Sequence, residues 1–216
     1  MAKVKMPLLG VKASGQLGKS AVFGSWKGVQ YARTLVIPKN PRTEEQMLTR
    51  NTFSFLNELW KLLPAEAIRV WELFSSGKPL TSRNAFLQRN ILTLREASSL
   101  LDFVASPGVG GGYAPEDAMA TVDAANNRIT VTIVPPSLPA GWSVVAAYAM
   151  ALRDQDPHEK PMEAPKLGTA TTSPYSVTLD NLTDGASYVI AIWIEYEKPD
   201  GSTVFGPSVN VGPFTV

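Results

Sequence analysis

Apolar side chains in the middle of the chain return at helical spacing. From Thr43 to about Leu63, positions Met47, Leu48, Thr52, Phe55, Leu56, Leu59, Trp60 and Leu63 recur every three to four residues, which predicts an amphipathic helix. Pro41 biases Asn40 towards an extended entry, and Thr43 with Gln46 three residues on reads as a capping box. Pro64 suits the start of a second helix, Ala65 to about Ser75, with Ile68, Trp71 and Phe74 on its apolar face. Gly77 and Pro79 end it. A third helix, capped by Thr81 or Ser82, is expected to run to about Val104, presenting Phe86, Leu87, Ile91, Leu94 and Leu101. Trp60, Trp71, Phe74 and Phe86 read as core residues.

The pattern on either side is that of strands. Residues 20–26 and 29–37 are rich in β-formers with Lys27-Gly28 between them, which predicts a hairpin. An isolated two-stranded hairpin is marginal in water, so it must lie on something else. After residue 105, Ser106-Pro107-Gly108-Val109-Gly110-Gly111-Gly112-Tyr113-Ala114-Pro115 reads as a linker. Beyond it come 128–134, 142–153, 175–179, 187–197, 203–205 and 209–211, with Asp200-Gly201 as a hairpin turn. Tyr188, Ile190, Ile192, Ile194 and Tyr196 share one parity. The spacing predicts a β-sandwich of about seven strands. The chain is thus read as α+β and multidomain: a basic hairpin arm (1–42), a helical domain (43–105), a linker (106–115) and an all-β sandwich (116–216).

Composition adds one strong feature. The net charge of +1 over 216 residues conceals a gradient: residues 1–43 carry +8, residues 44–112 balance, and residues 113–216 carry −7. Such asymmetry predicts an acidic partner for the basic end, protein or nucleic acid. Cysteine is absent, which excludes disulfides and thiolate metal sites. No apolar run is long enough for a signal peptide or a membrane-spanning helix, so cytoplasmic synthesis is expected.

Two resemblances follow from motifs. Leu179-Asp180-Asn181-Leu182-Thr183-Asp184-Gly185-Ala186-Ser187-Tyr188 resembles the corner between the fifth and sixth strands of fibronectin type III domains, within the wider immunoglobulin-like class. The resemblance implies that Leu182 is a core residue, that Gly185 makes the turn, and that Tyr188 returns its hydroxyl to the preceding backbone. It implies a display scaffold and no particular activity. The first ninety or so residues carry Gly18-Lys19-Ser20, Trp26-Lys27-Gly28, Tyr31-Ala32-Arg33, Asn40-Pro41-Arg42-Thr43 with Gln46 and Arg50, then Trp60, Trp71, Asn84-Ala85-Phe86 and Asn90. These resemble a family of uncharacterised phage and prophage proteins, with relatives in bacteroidete genomes. The resemblance implies a virion structural or assembly role.

Candidate chemistry is sparse. His158 lies in the polar loop Asp154-Gln155-Asp156-Pro157-His158-Glu159-Lys160 and reads as a solvated loop residue, since a lone ligand cannot hold a closed site. The Asp154/Asp156/Glu159 grouping lacks calcium-loop spacing. Gly18-Lys19-Ser20 ends like a phosphate loop, but the first glycine that motif requires would stand at position 13, which is Ala13, and strands are expected to follow. No catalytic, cofactor or metal residues are assigned, and no enzyme activity is expected.

The resulting expectation is a non-enzymatic virion protein that anchors through its arm and helices and displays the sandwich. Head decoration is favoured over a tail position. Lys19, Trp26, Tyr31, Arg33, Asn40, Arg42 and Arg50 are the candidate contacts, while Thr43, Gln46, Trp60, Trp71, Leu182, Gly185 and Tyr188 define the fold. If the first helix begins near Arg42, Arg42 and Arg50 share one side and can pair with Glu45 or a neighbour's carboxylates. The expected partners are other virion proteins and further copies of this chain. A host-surface glycan or protein could meet residues 116–216, and no membrane is involved. Two rival readings are a nucleic-acid-associated virion protein and a soluble glycan-binding adhesin. Protein is preferred to nucleic acid for the arm, because its strand-forming residues suit sheet augmentation.

Overall fold

A four-stranded antiparallel sheet occupies the N-terminal part of the chain, with strands β1 (Ala2–Lys3), β2 (Gly15–Leu17), β3 (Ala21–Trp26) and β4 (Val29–Thr34) in the order β1-β4-β3-β2. The fold comes from a computed structural model that describes residues 2–3, 14–26, 29–37, 39–40 and 42–216. They fall into two units, Met1–Arg42 and Thr43–Val216. The hairpin expected over 20–37 is the β3–β4 pair, running from Ala21↔Thr34 to Trp26↔Val29. Lys27 and Gly28, its expected turn, lie outside the described residues, as do Pro38 and Pro41. The Gly15–Ser20 stretch is strand β2 followed by a turn into β3. A strand-turn-strand presents no helix N-terminus to a phosphate.

The second unit begins with three helices: α1 (Glu44–Leu62), α2 (Ala65–Ser75) and α3 (Ser82–Leu94). On α1 the predicted stripe buries Thr52, Phe55, Leu56 and Leu59. Thr43 occupies the N-cap, but its side chain makes no capping hydrogen bond. Its carbonyl accepts from Met47 N–H at 3.0 Å instead, and both Thr43 and Gln46 are exposed. The capping box is therefore not formed. Thr81 does cap α3, its hydroxyl oxygen accepting from Asn84 N–H at 3.3 Å.

The third helix stops ten residues short of the expected Val104, because tertiary hydrogen bonds outcompete its continuation. Asn90, fully buried, donates to the Val104 carbonyl at 3.1 Å and accepts from Val104 N–H at 2.7 Å. Asp154 accepts from the Ser99 hydroxyl and from Leu100 N–H. Leu100 and Phe103 are thereby buried, and Leu101, expected on the apolar face, is exposed.

The sandwich follows. Strands β6 (Asp117–Asp123), β7 (Arg128–Val134) and β10 (Tyr175–Leu179) form one sheet, order β10-β7-β6. The other contains β5 (Pro107–Val109), β8 (Ser143–Arg153), β9 (Lys166–Ala170), β11 (Ser187–Glu197), β12 (Thr203–Pro207) and β13 (Val209–Thr215), in the order β5-β12-β11-β8-β9. β12 and β13 pair with successive stretches of the same edge of β11. The chain is α+β with a fibronectin-like antiparallel sandwich. Leu182 is buried, Gly185 has φ +68°, and the Tyr188 hydroxyl accepts from Thr183 N–H at 2.9 Å.

Two cores lie on opposite faces of the larger sheet. Ala147, Ala149, Ala151, Ile190, Ile192 and Ile194 face the smaller sheet. Tyr148, Met150, Leu152, Val189, Trp193 and Phe205 join Phe55, Leu59, Trp71 and Phe86 of the helices. The expected division into a helical domain, a linker and a sandwich is replaced by three layers in one unit: helices, sheet, sheet. Nor is the Gly/Pro stretch a linker. Pro107–Val109 pairs with β12, and a side chain on Gly112 or Gly206 would strike the Phe205 or Tyr113 backbone. Those glycines permit close packing.

Candidate interaction surface

Directly paired residues of neighbouring antiparallel strands project to the same face, and successive residues alternate. The β3–β4 register therefore places Val22, Gly24 and Trp26 on one face together with Arg33, Tyr31 and Val29. Three of the candidates read from sequence, Trp26, Tyr31 and Arg33, are brought onto one surface. Gly24 makes this possible: a Cβ there would sit 2.7 Å from the Tyr31 hydroxyl, so the Tyr31 ring occupies that place. Trp26 is 68% exposed and Val29 47% exposed, and Arg33 is also exposed. No described residue of 14–42 is buried. Among the described residues, this sheet holds no buried side chain.

Lys19, in the turn between β2 and β3, is exposed, as are Asn40 and Arg42. Arg42 stands outside α1 with φ +50°, so the helical spacing that would align it with Arg50 does not apply. Arg50 belongs to the other unit, where it lines a 450 Å³ depression with Glu45, Gln46, Thr49, Arg95 and Glu96. The Glu45 pairing expected for these arginines is not among the ion pairs of the described residues.

The polar groups of the second unit act as tethers. Glu195, 3% exposed, accepts from the Tyr148 hydroxyl at 2.7 Å and pairs with Arg69 of α2 at 3.0 Å. Burial, then the bond to Glu195, pushes the Tyr148 hydroxyl well above its ordinary range. Burial raises Tyr188 and Tyr196 in the same direction. Arg69→Met is expected to destabilise the protein by about 2–3 kcal/mol. It leaves a buried carboxylate with one neutral donor, and the cost is discounted because the guanidinium is half exposed. Urea unfolding measures it, and a loss below about 1 kcal/mol would mean that water replaces the arginine.

His158 differs from the expected solvated residue. Its side chain is 13% exposed and lies between the Arg95 carbonyl, 2.9 Å from Nε2, and the Asp156 carboxylate. Asn210 donates to the Leu101 and Phe103 carbonyls, and the Ser208 hydroxyl oxygen accepts from Ala105 and Ser106 N–H. Sequence reading missed Glu195, Arg69, Asn90 and Ser208 as a set. One signal was present: β11 reads Val189, Ala191, Trp193 on the parity opposite its isoleucines, so both faces are apolar and a lone Glu among them needs a partner.

Comparison with known proteins adds little to this. No family model matches the chain, and no curated protein matches it. Among solved structures, a myokine structure covers 47% of this chain and 94% of its own at 14% identity, with a TM-score of 0.34. A computationally redesigned β-sandwich protein covers 47% and 90% at 21% identity, TM-score 0.32. A human fourth fibronectin type III domain covers 51% and 86% at 13% identity, TM-score 0.34. The strand order, the register and the Tyr188 hydrogen bond of this chain define its sandwich.

Proposed function

We propose that this chain is a non-enzymatic structural protein of a phage particle, anchored through its N-terminal sheet and displaying the helix-backed sandwich. The observation that carries the reading is the sheet formed by residues up to Arg42. It presents Trp26, Val29, Tyr31 and Arg33 on one face and buries none of its described side chains. A sheet whose described side chains are all at least partly exposed gains stability by covering a face on a partner. The motif resemblance of the first ninety residues supports the virion setting, with head decoration ahead of a tail position. The helices serve this role as the inner support of the displayed body.

A second reading, nucleic-acid association, draws on the same face. Aromatic rings beside an arginine can stack bases and neutralise phosphate, and such binding would collapse with salt.

Light scattering of the full chain and of a variant lacking residues 1–37 tests the assembly reading. The full chain is expected to form a defined oligomer and the shortened one a folded monomer. Identical monomeric masses would overturn it.

A further inference from the structure

We infer that the aromatic–basic face of the N-terminal sheet docks on the acidic sandwich of a second copy of this chain, head to tail. The inference rests on the assembly reading above and names the partner surface. Lys19, Arg33, Lys39 and Arg42 are all exposed, and none joins the ion pairs of the described residues. Residues 1–43 carry +8. A symmetric contact between two such sheets would set like charges against each other within a screening length of about 8–10 Å. The complementary charge is elsewhere in the same chain, where residues 113–216 carry −7. A contact between two different patches is heterologous and builds rings or filaments, the geometry of particle assembly.

The sandwich has a surface suited to that face. Tyr113, 41% exposed, lies 5.7 Å from Trp142 and 6.5 Å from Tyr196 between ring centroids, which joins the approach to β6 to the end of β11. Glu116, Asp117, Glu197 and Asp200 at that end are exposed. Lys198 between them is held by the Gly110 carbonyl at 2.7 Å and by the Trp142 ring. The exposed Tyr113 ring, with exposed carboxylates at Glu116, Asp117, Glu197 and Asp200, complements the exposed Trp26 ring, which shares its face with Arg33. The charges set register and rate of encounter, and the rings supply the apolar area.

The test uses full chains with the charge reversed on one side only. One variant carries Lys19→Glu and Arg33→Glu; the other carries Glu116→Lys, Asp117→Lys and Glu197→Lys. Circular dichroism confirms that each is folded, and the neutral set Glu116→Gln, Asp117→Asn, Glu197→Gln replaces the second if it is not. Each alone is expected to associate at least tenfold more weakly than the unaltered chain. An equimolar mixture should recover a complex, because each supplies the surface the other lacks. If the sandwich variant assembles like the unaltered chain while the arm variant does not, the partner surface is elsewhere and this inference falls, with the assembly reading intact. If both variants assemble undiminished, the arm reading falls as well. Assembly of the unaltered chain that disappears after nuclease treatment would assign the face to nucleic acid instead.

Discussion

Without residues 43–105 the sandwich is expected to aggregate rather than fold as a monomer. The larger sheet is apolar on both faces, and the helices cover one of them. Tyr148, Met150, Leu152, Val189, Trp193 and Phe205 are each no more than 6% exposed in the intact unit. Burying a side chain of this size contributes about 1.5–3 kcal/mol. Exposing six of them forfeits a sum comparable to the whole stability of an ordinary domain, about 5–15 kcal/mol. The same deletion strips Glu195 of Arg69 and Asp154 of the Ser99 hydroxyl and Leu100 N–H. The measurement compares residues 106–216 with residues 43–216 by light scattering and by binding of a hydrophobic dye. A soluble, cooperatively folding 106–216 would show that the helices are an accessory. Any test of glycan binding by the sandwich therefore belongs on residues 43–216.

Phe86→Ala is expected to cost about 3–5 kcal/mol. Phe86 is fully buried, with ring centroids 5.1 Å from Trp60, 5.5 Å from Trp71 and 5.9 Å from Phe103. These belong to α1, α2 and the segment after α3, so one ring joins every part of the layer. Three rigid aromatic neighbours cannot collapse into the vacated space, which places the cost towards the upper end for a core truncation. Chemical denaturation reads the loss directly. A change below about 1.5 kcal/mol would mean that the ring cluster repacks. Leu92→Ala, at a position 76% exposed on the same helix, should be close to neutral and serves as the comparison.

The proposed assembly surface was half legible in the sequence. Strand-forming residues around Lys27-Gly28 predict a hairpin, and Trp26, Tyr31 and Arg33 stand out by type. Their convergence on one face depends on register, since a slip of one residue would send Tyr31 and Arg33 to the other side. Arg42 and Arg50 were linked by a helical spacing that fails because α1 starts at Glu44. The strands missed from sequence are β1 and β2 of the N-terminal sheet and β5, β6 and β9 of the sandwich. β6 reads Asp-Ala-Met-Ala-Thr-Val-Asp and β9 Lys-Leu-Gly-Thr-Ala, with little intrinsic strand preference. Each is an edge strand whose conformation its neighbour imposes.

What the sequence determined by itself is whatever follows from local periodicity and turn chemistry. The three helix starts, the long strands 128–134, 143–153 and 187–197, and the Leu182–Gly185–Tyr188 corner need only near neighbours to specify them. Tertiary structure decided where α3 ends, that the Gly/Pro stretch packs as an edge strand, and that helices and sandwich share a core. Each of these depends on contacts between residues far apart in the chain: Asn90 with Val104, Gly112 against Phe205, Arg69 with Glu195. Periodicity reports that a face is apolar. It cannot report what will cover that face, because burial is a property of the partner as much as of the strand.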